Sequence, residues 1–336
     1  MHEAMLYEKL SDNRVRCNLC AHRCVIKDGK RGICQVRENQ SGTLYTLVYG
    51  RTIAQHTDPI EKKPLFHFHP GTTAYSIATP GCNFRCPWCQ NWEISQIPGD
   101  GEIAAGIEAS PNQIVADARR AGCKSIAYTY TEPTIFFEYA YDTARLAHES
   151  GLANIYVTNG YMTEDMLNTF HPYLDAMNVD LKGFSEKMYK EYVGAKLQPV
   201  LDALQKAKEL GIFLEVTTLI IPGINDSQEE LKEATNFIAT ELGTDTPWHI
   251  SRFFPAYNMS DVPATPVETL KQAVKIGKEA GLRYVYLGNA PGQGDENTHC
   301  PSCGNLVVER MGYYTRIIGL DGSKCHFCGA ELNFRT

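Results

Sequence analysis

The middle of the chain alternates short apolar, β-branched runs with longer amphipathic stretches. The apolar runs predict seven strands, at 72–79, 125–130, 154–158, 176–181, 212–221, 248–254 and 283–287. The amphipathic stretches predict helices at 110–122, 134–150, 163–170, 185–210, 227–242 and 266–280. Strands that alternate with helices of this length favour βαβ units and a parallel sheet. We therefore expect an α/β fold, an open or closed barrel of six or seven such units, with its chemistry at the carboxyl ends of the strands.

Composition narrows the class of protein without naming a function. The chain has 336 residues, 43% of them hydrophobic, which is enough for one large core with small satellites. A formal net charge of -7 gives no electrostatic reason to expect binding to nucleic acid or to an anionic membrane. The apolar runs are too short to span a bilayer, and the polar first residues do not resemble a secretion signal. We expect a cytoplasmic protein.

Twelve cysteines are the most unusual feature of the composition. Eleven of them fall into three clusters, and disulfide frameworks of this density belong to small secreted domains, so metal binding is the better interpretation. The clusters are the N-terminal cysteines (Cys17, Cys20, Cys24, Cys34), the central cysteines (Cys82, Cys86, Cys89) and the tail cysteines (Cys300, Cys303, Cys325, Cys328). Cys123 stands alone, and we interpret it as a small buried hydrophobic residue.

The three clusters also divide the chain. We predict a cysteine-rich N-terminal metal-binding module at 1–70, a barrel at 71–291 and a four-cysteine module at 292–336. A Gly-Gln-Gly-Asp-Glu-Asn stretch at 292–297 is the predicted linker into the last module.

The central cysteines have the spacing Cys-x3-Cys-x2-Cys directly after the first predicted strand. Three thiolates in one loop can bind a cubane iron–sulfur cluster, which normally takes four, and one iron is then open to another ligand. Trp88, just before the last cysteine, would shield such a cluster from water. The alternatives are zinc with a distant fourth ligand, or simple buried cysteines.

This motif resembles the Cys-x3-Cys-x-aromatic-Cys signature of the radical S-adenosylmethionine (SAM) superfamily. Within it, the chain resembles pyruvate formate-lyase activating enzymes and, most of all, the AmmeMemoRadiSam system radical SAM enzyme. The resemblance covers about residues 72–288 and implies a partial (β/α)6 TIM-like barrel. It also implies an anaerobic reaction in which SAM binds the open iron of a [4Fe–4S] cluster and is cleaved to a 5′-deoxyadenosyl radical that abstracts hydrogen.

The resemblance extends to polar residues that follow later strands. It implies that these hold SAM, together with Trp88 beside the cluster: Thr131, Glu132, Thr158, Asn159, Asp180 and Lys182. The chain departs from the pattern at Tyr130 and Thr131, where activating enzymes carry two glycines, and at Val157, where some relatives carry an acid. In the alternative interpretation these residues are structural. Glu132 is then an acid at a helix N-terminus, and Asp180 and Lys182 form an ordinary ion pair at the end of a strand.

The flanking cysteines predict two further metal sites. The tail cysteines form two Cys-x2-Cys knuckles typical of a zinc-ribbon or rubredoxin-like module, so we expect zinc, with a single iron as the alternative. The N-terminal cysteines fit either structural zinc or a second iron–sulfur cluster.

Three functions follow from these features. The first is a radical SAM enzyme that abstracts hydrogen from a small metabolite or peptide, with the proteins Amme and Memo as partners. The second is an activating enzyme that acts on a glycine of a glycyl radical protein. Both require a flavodoxin- or ferredoxin-like reductant. The third is a non-enzymatic metal-binding scaffold. His249 and Arg252, on the sixth predicted strand, line the substrate side of the barrel in one interpretation and are structural in the other.

Overall fold

The computed structural model describes residues 1–98, 101–103, 106–290, 292 and 296–336. Its core is a sheet in which seven consecutive strands run parallel, each beside the next along the chain. The strands are β1 Thr73–Ala78, β2 Ser125–Tyr128, β3 Ala153–Thr158, β4 Ala176–Asp180, β5 Phe213–Ile220, β6 Trp248–Arg252 and β7 Val285–Gly288. The predicted α/β class with a parallel sheet is confirmed.

Six helices connect these strands, and polar caps fix where several of them begin. They are α1 Pro111–Arg120, α2 Phe137–Glu149, α3 Glu164–Phe170, α4 Gln198–Glu209, α5 Gln228–Phe237 and α6 Val267–Glu279. Ser110 caps α1 by accepting a hydrogen bond from the Gln113 N–H at 3.2 Å, and Pro111 occupies the first helical position as the sequence predicts. Among the described residues, no helix combines the length and the apolarity needed to cross a bilayer.

Shorter helical turns complete the connections between these elements. They are Ile60–Lys62, Trp92–Ser95, Pro133–Phe136, His171–Tyr173, Glu186–Met188, Tyr189–Val193 and Ile238–Leu242.

The N-terminal stretch is built from short strands and is attached firmly to the barrel. The strands are His2–Glu3, Tyr7–Lys9, Val15–Cys17, Val25–Ile26, Arg37–Gln40, Thr43–Thr46, Arg51–Thr52 and Ala54–Pro59. The last of them pairs antiparallel with β1 and forms an eighth strand of the main sheet. Arg37 makes an ion pair of 2.9 Å with Glu138 on α2, and both side chains are buried. This strand pairing and this ion pair join the stretch to the barrel.

The tail forms a small β-structure whose strands are Thr298–His299, Leu306–Met311, Tyr314–Ile317, Leu320–Asp321 and Lys324–Cys325. One further short strand, Ile107–Glu108, lies in the connection before α1. The ribbon predicted between residues 306 and 320 is therefore present. Pro291, Gln293, Gly294 and Asp295 lie outside the described residues, so the linker and the limits of the three modules stay predictions.

Residues 60–68, here called the closing segment, cover the amino end of the barrel. Ile60, Leu65 and Phe68 form one buried cluster with residues at or near the starts of the strands, among them Ala74 and Ala176. The tail reaches the same place, since Phe68 forms a bridge with Arg335. The amino end is therefore sealed by apolar packing, and the loops at the carboxyl end are left to form a site.

Candidate active site at the carboxyl end of the barrel

The central cysteines lie on the loop that leaves the carboxyl end of β1 at Ala78. Cys86 is buried, while Cys82 and Cys89 are partly exposed. The Phe84 N–H donates to the Cys82 sulfur at 3.4 Å, and the Cys89 sulfur lies 3.2 Å from Ser95 Oγ. Hydrogen bonds of this kind tune the potential of a sulfur-bound metal site.

Burial changes the acidity of these thiols. It raises the pKa of Cys82 well above its ordinary value and that of Cys86 to about 12, with neighbouring negative groups adding to the effect at Cys82. Both are therefore neutral thiols at pH 7 in the metal-free chain, and a metal must displace their protons to bind. Trp88 is buried beside them, with its ring centroid 6.3 Å from that of Tyr192. Its role as a screen for a cluster stays a prediction.

A network of hydrogen bonds joins the cysteine loop to the ends of β2 and β3. Asn159 donates from its side chain to Asn83 Oδ1 at 2.8 Å and from its backbone N–H to Glu132 Oε2 at 2.8 Å. Thr158 donates from Oγ1 to Glu132 Oε1 at 2.6 Å. Glu132 is almost fully buried, and burial raises its pKa although the hydrogen bonds from Asn159, Thr134 and Thr158 oppose the shift. Three of the predicted SAM-binding residues therefore act as one rigid unit against the cysteine loop.

Tyr130 and Thr131 occupy the positions where activating enzymes carry glycines. Tyr130 has a φ of 64°, in the left-handed region that glycine adopts without strain. The backbone shape expected of glycine is thus kept by a tyrosine, whose hydroxyl donates to Asp58 and whose carbonyl accepts from Asn91 Nδ2 at 2.7 Å. Thr131 Oγ1 donates to the Thr79 carbonyl at 2.8 Å, which ties this loop to the end of β1.

Asp180 and Lys182 form an ion pair of 2.7 Å after β4. Burial lowers the pKa of Lys182, but Asp180 and, in its ionised form, the Cys86 sulfur outweigh burial and raise it, so the ammonium is charged and lies near Cys86. The Lys182 carbonyl accepts from Asn225 Nδ2 at 2.7 Å, which holds the loop against the turn after β5. The mouth of the barrel therefore presents the Lys182 ammonium, fixed by Asp180, close to the central cysteines.

Sequence reasoning missed several contacts around the cysteine loop. Asn258 N–H donates to the Pro87 carbonyl at 2.9 Å, and the Tyr257 ring stacks on Trp92 with centroids 5.0 Å apart. Tyr257 has a φ of 51°, so a second non-glycine residue is held in the left-handed region at this mouth. An asparagine inside the cysteine motif was a usable signal for Asn83. The sequence also offers Tyr257, beyond the sixth strand, as a residue of the barrel mouth, but no local pattern predicts its stacking on Trp92.

His249 and Arg252 lie in different parts of the barrel. His249 lies near the start of β6, buried in the barrel interior, with Nε2 2.6 Å from Glu215 Oε2. The structural interpretation therefore describes it better than the substrate-facing one. Arg252 ends β6, donates from Nε to the Thr265 carbonyl at 2.8 Å and lies over the Phe254 ring, at the mouth.

The tail cysteines form a closed four-sulfur group. All four Sγ atoms lie within 4.8 Å of one another, and the pairs Cys300–Cys328 and Cys303–Cys325 are each 3.7 Å apart. Tetrahedral zinc with Zn–S bonds of about 2.3 Å separates its sulfurs by about 3.8 Å. A hydrogen bond from Asn305 lowers the pKa of Cys303 to about 7, which helps this thiol to ionise. These residues could bind one metal ion; the geometry suits zinc and iron equally.

Comparison with known proteins fixes the class of this site. The sequence profile of the radical SAM superfamily matches residues 76–238, which include the central cysteines and the loops after β2, β3 and β4. The chain belongs to the radical SAM superfamily. The uncharacterized protein MJ0808 of Methanocaldococcus jannaschii is 49% identical over 99% of both chains. The pyruvate formate-lyase-activating enzyme of Clostridium pasteurianum is 22% identical over 59% of this chain and 87% of that protein.

Solved structures agree on the fold of this radical SAM protein. A radical SAM methyltransferase from Sphaerobacter thermophilus superposes with a TM-score of 0.53, at 17% identity, over 71% of each chain. The superfamily is enzymatic and implies a [4Fe–4S] cluster and SAM, so the scaffold interpretation is set aside. The site fits these groups, because it offers three thiols on one loop, a hydrogen-bonded carboxylate and one fixed cation.

Proposed function

We propose that the chain cleaves SAM reductively and uses it to abstract hydrogen from a small metabolite or peptide. The central cysteines would hold the [4Fe–4S] cluster, which supplies, with SAM, a 5′-deoxyadenosyl radical. The observation that carries the proposal is the network that locks Asn159 and Glu132 against the loop of the cysteines. A rigid polar wall beside one open coordination position is the arrangement needed to orient a charged ligand.

Each polar residue then has a separate task. Lys182 would bind the SAM carboxylate as a point charge, and Asp180 keeps that ammonium in place. Glu132 Oε2 accepts only the Asn159 N–H among the described residues, so it keeps a lone pair for the SAM ammonium. Thr158 and Thr131 brace the two loops, and Trp88 excludes water beside the sulfurs.

The departures from the activating-enzyme pattern restrict the class of substrate that we propose. Tyr130 places a phenol and its partner Asp58 where activating enzymes have glycine backbone, so the loop is bulkier and less adaptable. We take this as support for a small substrate or peptide handled together with the proteins Amme and Memo, with electrons from a flavodoxin- or ferredoxin-like donor.

A second candidate is activation of a glycyl radical protein. It is supported by the names of relatives, such as the putative glycyl-radical enzyme activating enzyme MJ1632 of Methanocaldococcus jannaschii, which is 23% identical over 62% of this chain and 77% of that protein. An EPR doublet on an added partner protein would favour this candidate. Transfer of deuterium from a labelled small molecule into 5′-deoxyadenosine would favour the first.

The proposal is tested by anaerobic reconstitution, reduction with dithionite and assay of 5′-deoxyadenosine. Cys86→Ala should abolish product formation, because the cluster loses one of its three protein ligands. Cys123→Ala is the matched control, since Cys123 is equally buried but lies outside the site. SAM cleavage retained in Cys86→Ala would refute the assignment of the central cysteines.

We propose in addition that the tail cysteines bind a structural zinc ion. The sulfur separations support a single tetrahedral ion, and a tail with a small core of its own would gain folding energy from it. Zinc analysis of a Cys300→Ser variant, with a loss of about one zinc per chain expected, checks this assignment.

A further inference from the structure

The N-terminal cysteines lie on the barrel and not in a free module. The Cys17 N–H donates to the Cys24 carbonyl at 3.0 Å, so these two residues face each other across a tight hairpin. Cys20 forms a bridge with Met162, in the loop after β3. Cys34 and Cys17 are buried. The group is therefore enclosed between the hairpin and the mouth of the barrel.

The spacing of these sulfurs differs from that of the tail cysteines. Among the described residues, only the tail cysteines bring three or more metal-binding atoms within 4.8 Å of one another. The N-terminal cysteines are thus too far apart to meet on one ion without moving, as are the central cysteines. A cubane binds each thiolate to a different iron at the corners of a cube, so its sulfur ligands lie farther apart than those around a single ion.

A cavity lies between the four N-terminal thiols. All four line it, together with the apolar side chains of Leu19, Ile26 and Ile135. Iron–sulfur clusters commonly occupy apolar, shielded sites of this kind.

The same cavity touches the site of the central cysteines. Asn83, the neighbour of Cys82, also lines it, and the Asn83 carbonyl lies 2.8 Å from His22 Nε2. On the other side of Cys82, a Cβ placed on Gly81 would lie 3.0 Å from the Cys34 carbonyl oxygen. The two cysteine groups therefore lie on either side of this short loop, and the side chains of Val36 and Ile135 also contact it at Gly81.

We infer that the N-terminal cysteines bind a second [4Fe–4S] cluster, ligated at all four irons, next to the cluster of the central cysteines. Four protein ligands leave no open iron, so this cluster does not bind substrate. It accepts one electron from a ferredoxin- or flavodoxin-type donor and passes one electron on, with no net change in its own state. This transfer role rests on the proposed function, whereas the metal site itself does not.

The test uses the full chain purified without oxygen, as wild type and as a Cys82→Ala/Cys86→Ala/Cys89→Ala variant. The variant should keep about four iron and one zinc per chain, against about eight iron and one zinc for the wild type. After dithionite reduction, the variant should show the EPR signal of a four-iron cluster that added SAM leaves unchanged. Iron near zero with about two zinc in the variant would overturn the inference.

Two controls keep the outcome interpretable. Adding Cys20→Ala and Cys34→Ala to the triple variant should remove the remaining iron, whereas adding Cys123→Ala should not. If the triple variant fails to fold, the wild type decides: about four iron and two zinc overturns the inference, and about eight iron supports it. About eight iron per chain with no EPR change on adding SAM would refute the proposed function but would still support the second cluster.

Discussion

The two ends of the barrel each contain a buried glutamate, and their surroundings differ. Glu132, at the carboxyl end, accepts hydrogen bonds from residues on the loops after β2 and β3. Glu215, inside the barrel on β5, accepts from the backbone N–H groups of Phe66 and His67 in the closing segment, at 3.0 and 2.8 Å. Both carboxylates fix a connection to the sheet, but only the first does so beside the central cysteines.

Aromatic rings account for the difference in accessibility. The Phe66 ring packs edge-on against His249, and His67 stacks on Phe334 of the tail with centroids 4.0 Å apart. These contacts enclose Glu215 completely, whereas Cys82 and Cys89, on the loop beside Glu132, are partly exposed residues. The comparison indicates that a buried polar network marks a binding site only where one side of it is open, and is otherwise structural.

Removing the carboxylate of the closed end should have the largest effect on stability. Glu215→Ala leaves two backbone N–H groups and His249 without their acceptor, so we expect a loss of about 3–5 kcal/mol in the free energy of unfolding. Urea denaturation of the reconstituted protein measures this. SAM affinity of the folded fraction should not change; a specific loss of SAM binding would contradict the structural role of this end.

At the open end, the fixed cation should matter most for binding. Lys182→Met leaves Asp180 unpaired and removes the charge next to the cysteines, so we expect the dissociation constant of SAM to rise about 100-fold, in line with the loss of one charged partner. Titration of the reduced cluster with SAM, followed by EPR, gives the constant. Lys182→Arg is the matched control and should recover part of the affinity; equal affinities in all three proteins would argue against contact with SAM.

A smaller effect is expected from Glu132→Gln, which keeps the shape of the side chain. The amide nitrogen cannot accept a hydrogen bond. At the position of Oε2 it leaves both the Asn159 N–H and SAM without their acceptor, and at the position of Oε1 it leaves the Thr134 N–H without one, at about 1–2 kcal/mol for each lost bond. We expect SAM affinity about 10-fold weaker, with a far-ultraviolet spectrum like that of the wild type. The corresponding Glu215→Gln variant should leave the SAM affinity unchanged. A loss of SAM affinity in both variants would contradict the functional difference between the two ends.

The smallest effect concerns pH and the contact between Asp58 and Tyr130. Burial alone would raise the pKa of Asp58, but hydrogen bonds from Lys62, Lys63 and Tyr130 outweigh burial and hold it well below its ordinary value. A depressed carboxyl pKa adds stability above the unfolded value of about 3.9, and this stability is lost as the pH falls below it. Asp58→Asn should therefore show a shallower loss of stability between about pH 5 and 3, measured by urea midpoints; parallel curves would exclude this contribution.

Local patterns were sufficient to predict the sheet and the position of the cysteine loop. Each predicted strand overlaps an observed one, because apolar runs bounded by glycine or proline have few other conformations in a βαβ context. The cysteine loop was predicted on the carboxyl side of β1 for the same reason. The ligand roles of Glu132, Asn159, Asp180 and Lys182 remain predictions, although their side chains do lie around this loop.

The contacts that the sequence did not predict join residues distant in the chain. The hydrogen bond from the His67 N–H to Glu215 spans 148 positions, and the bridge from Cys20 to Met162 has no local pattern either. The sequence shows Tyr130 as a departure from glycine, but neither its left-handed backbone nor the hydrogen bond from its hydroxyl to Asp58, on a separate strand, has a local signal. Such features depend on tertiary packing and not on propensity.

The closing segment has a consequence for how the protein is made. Its own backbone and rings are completed by Asn333 and Phe334, since the Asn333 carbonyl lies 2.7 Å from His67 Nδ1. The ribosome delivers those two residues after every barrel strand, and domains fold as units in the order of synthesis. This end of the barrel is therefore incompletely covered until the tail has emerged from the ribosome. A nascent chain stalled before residue 333 should be a preferred substrate for chaperones.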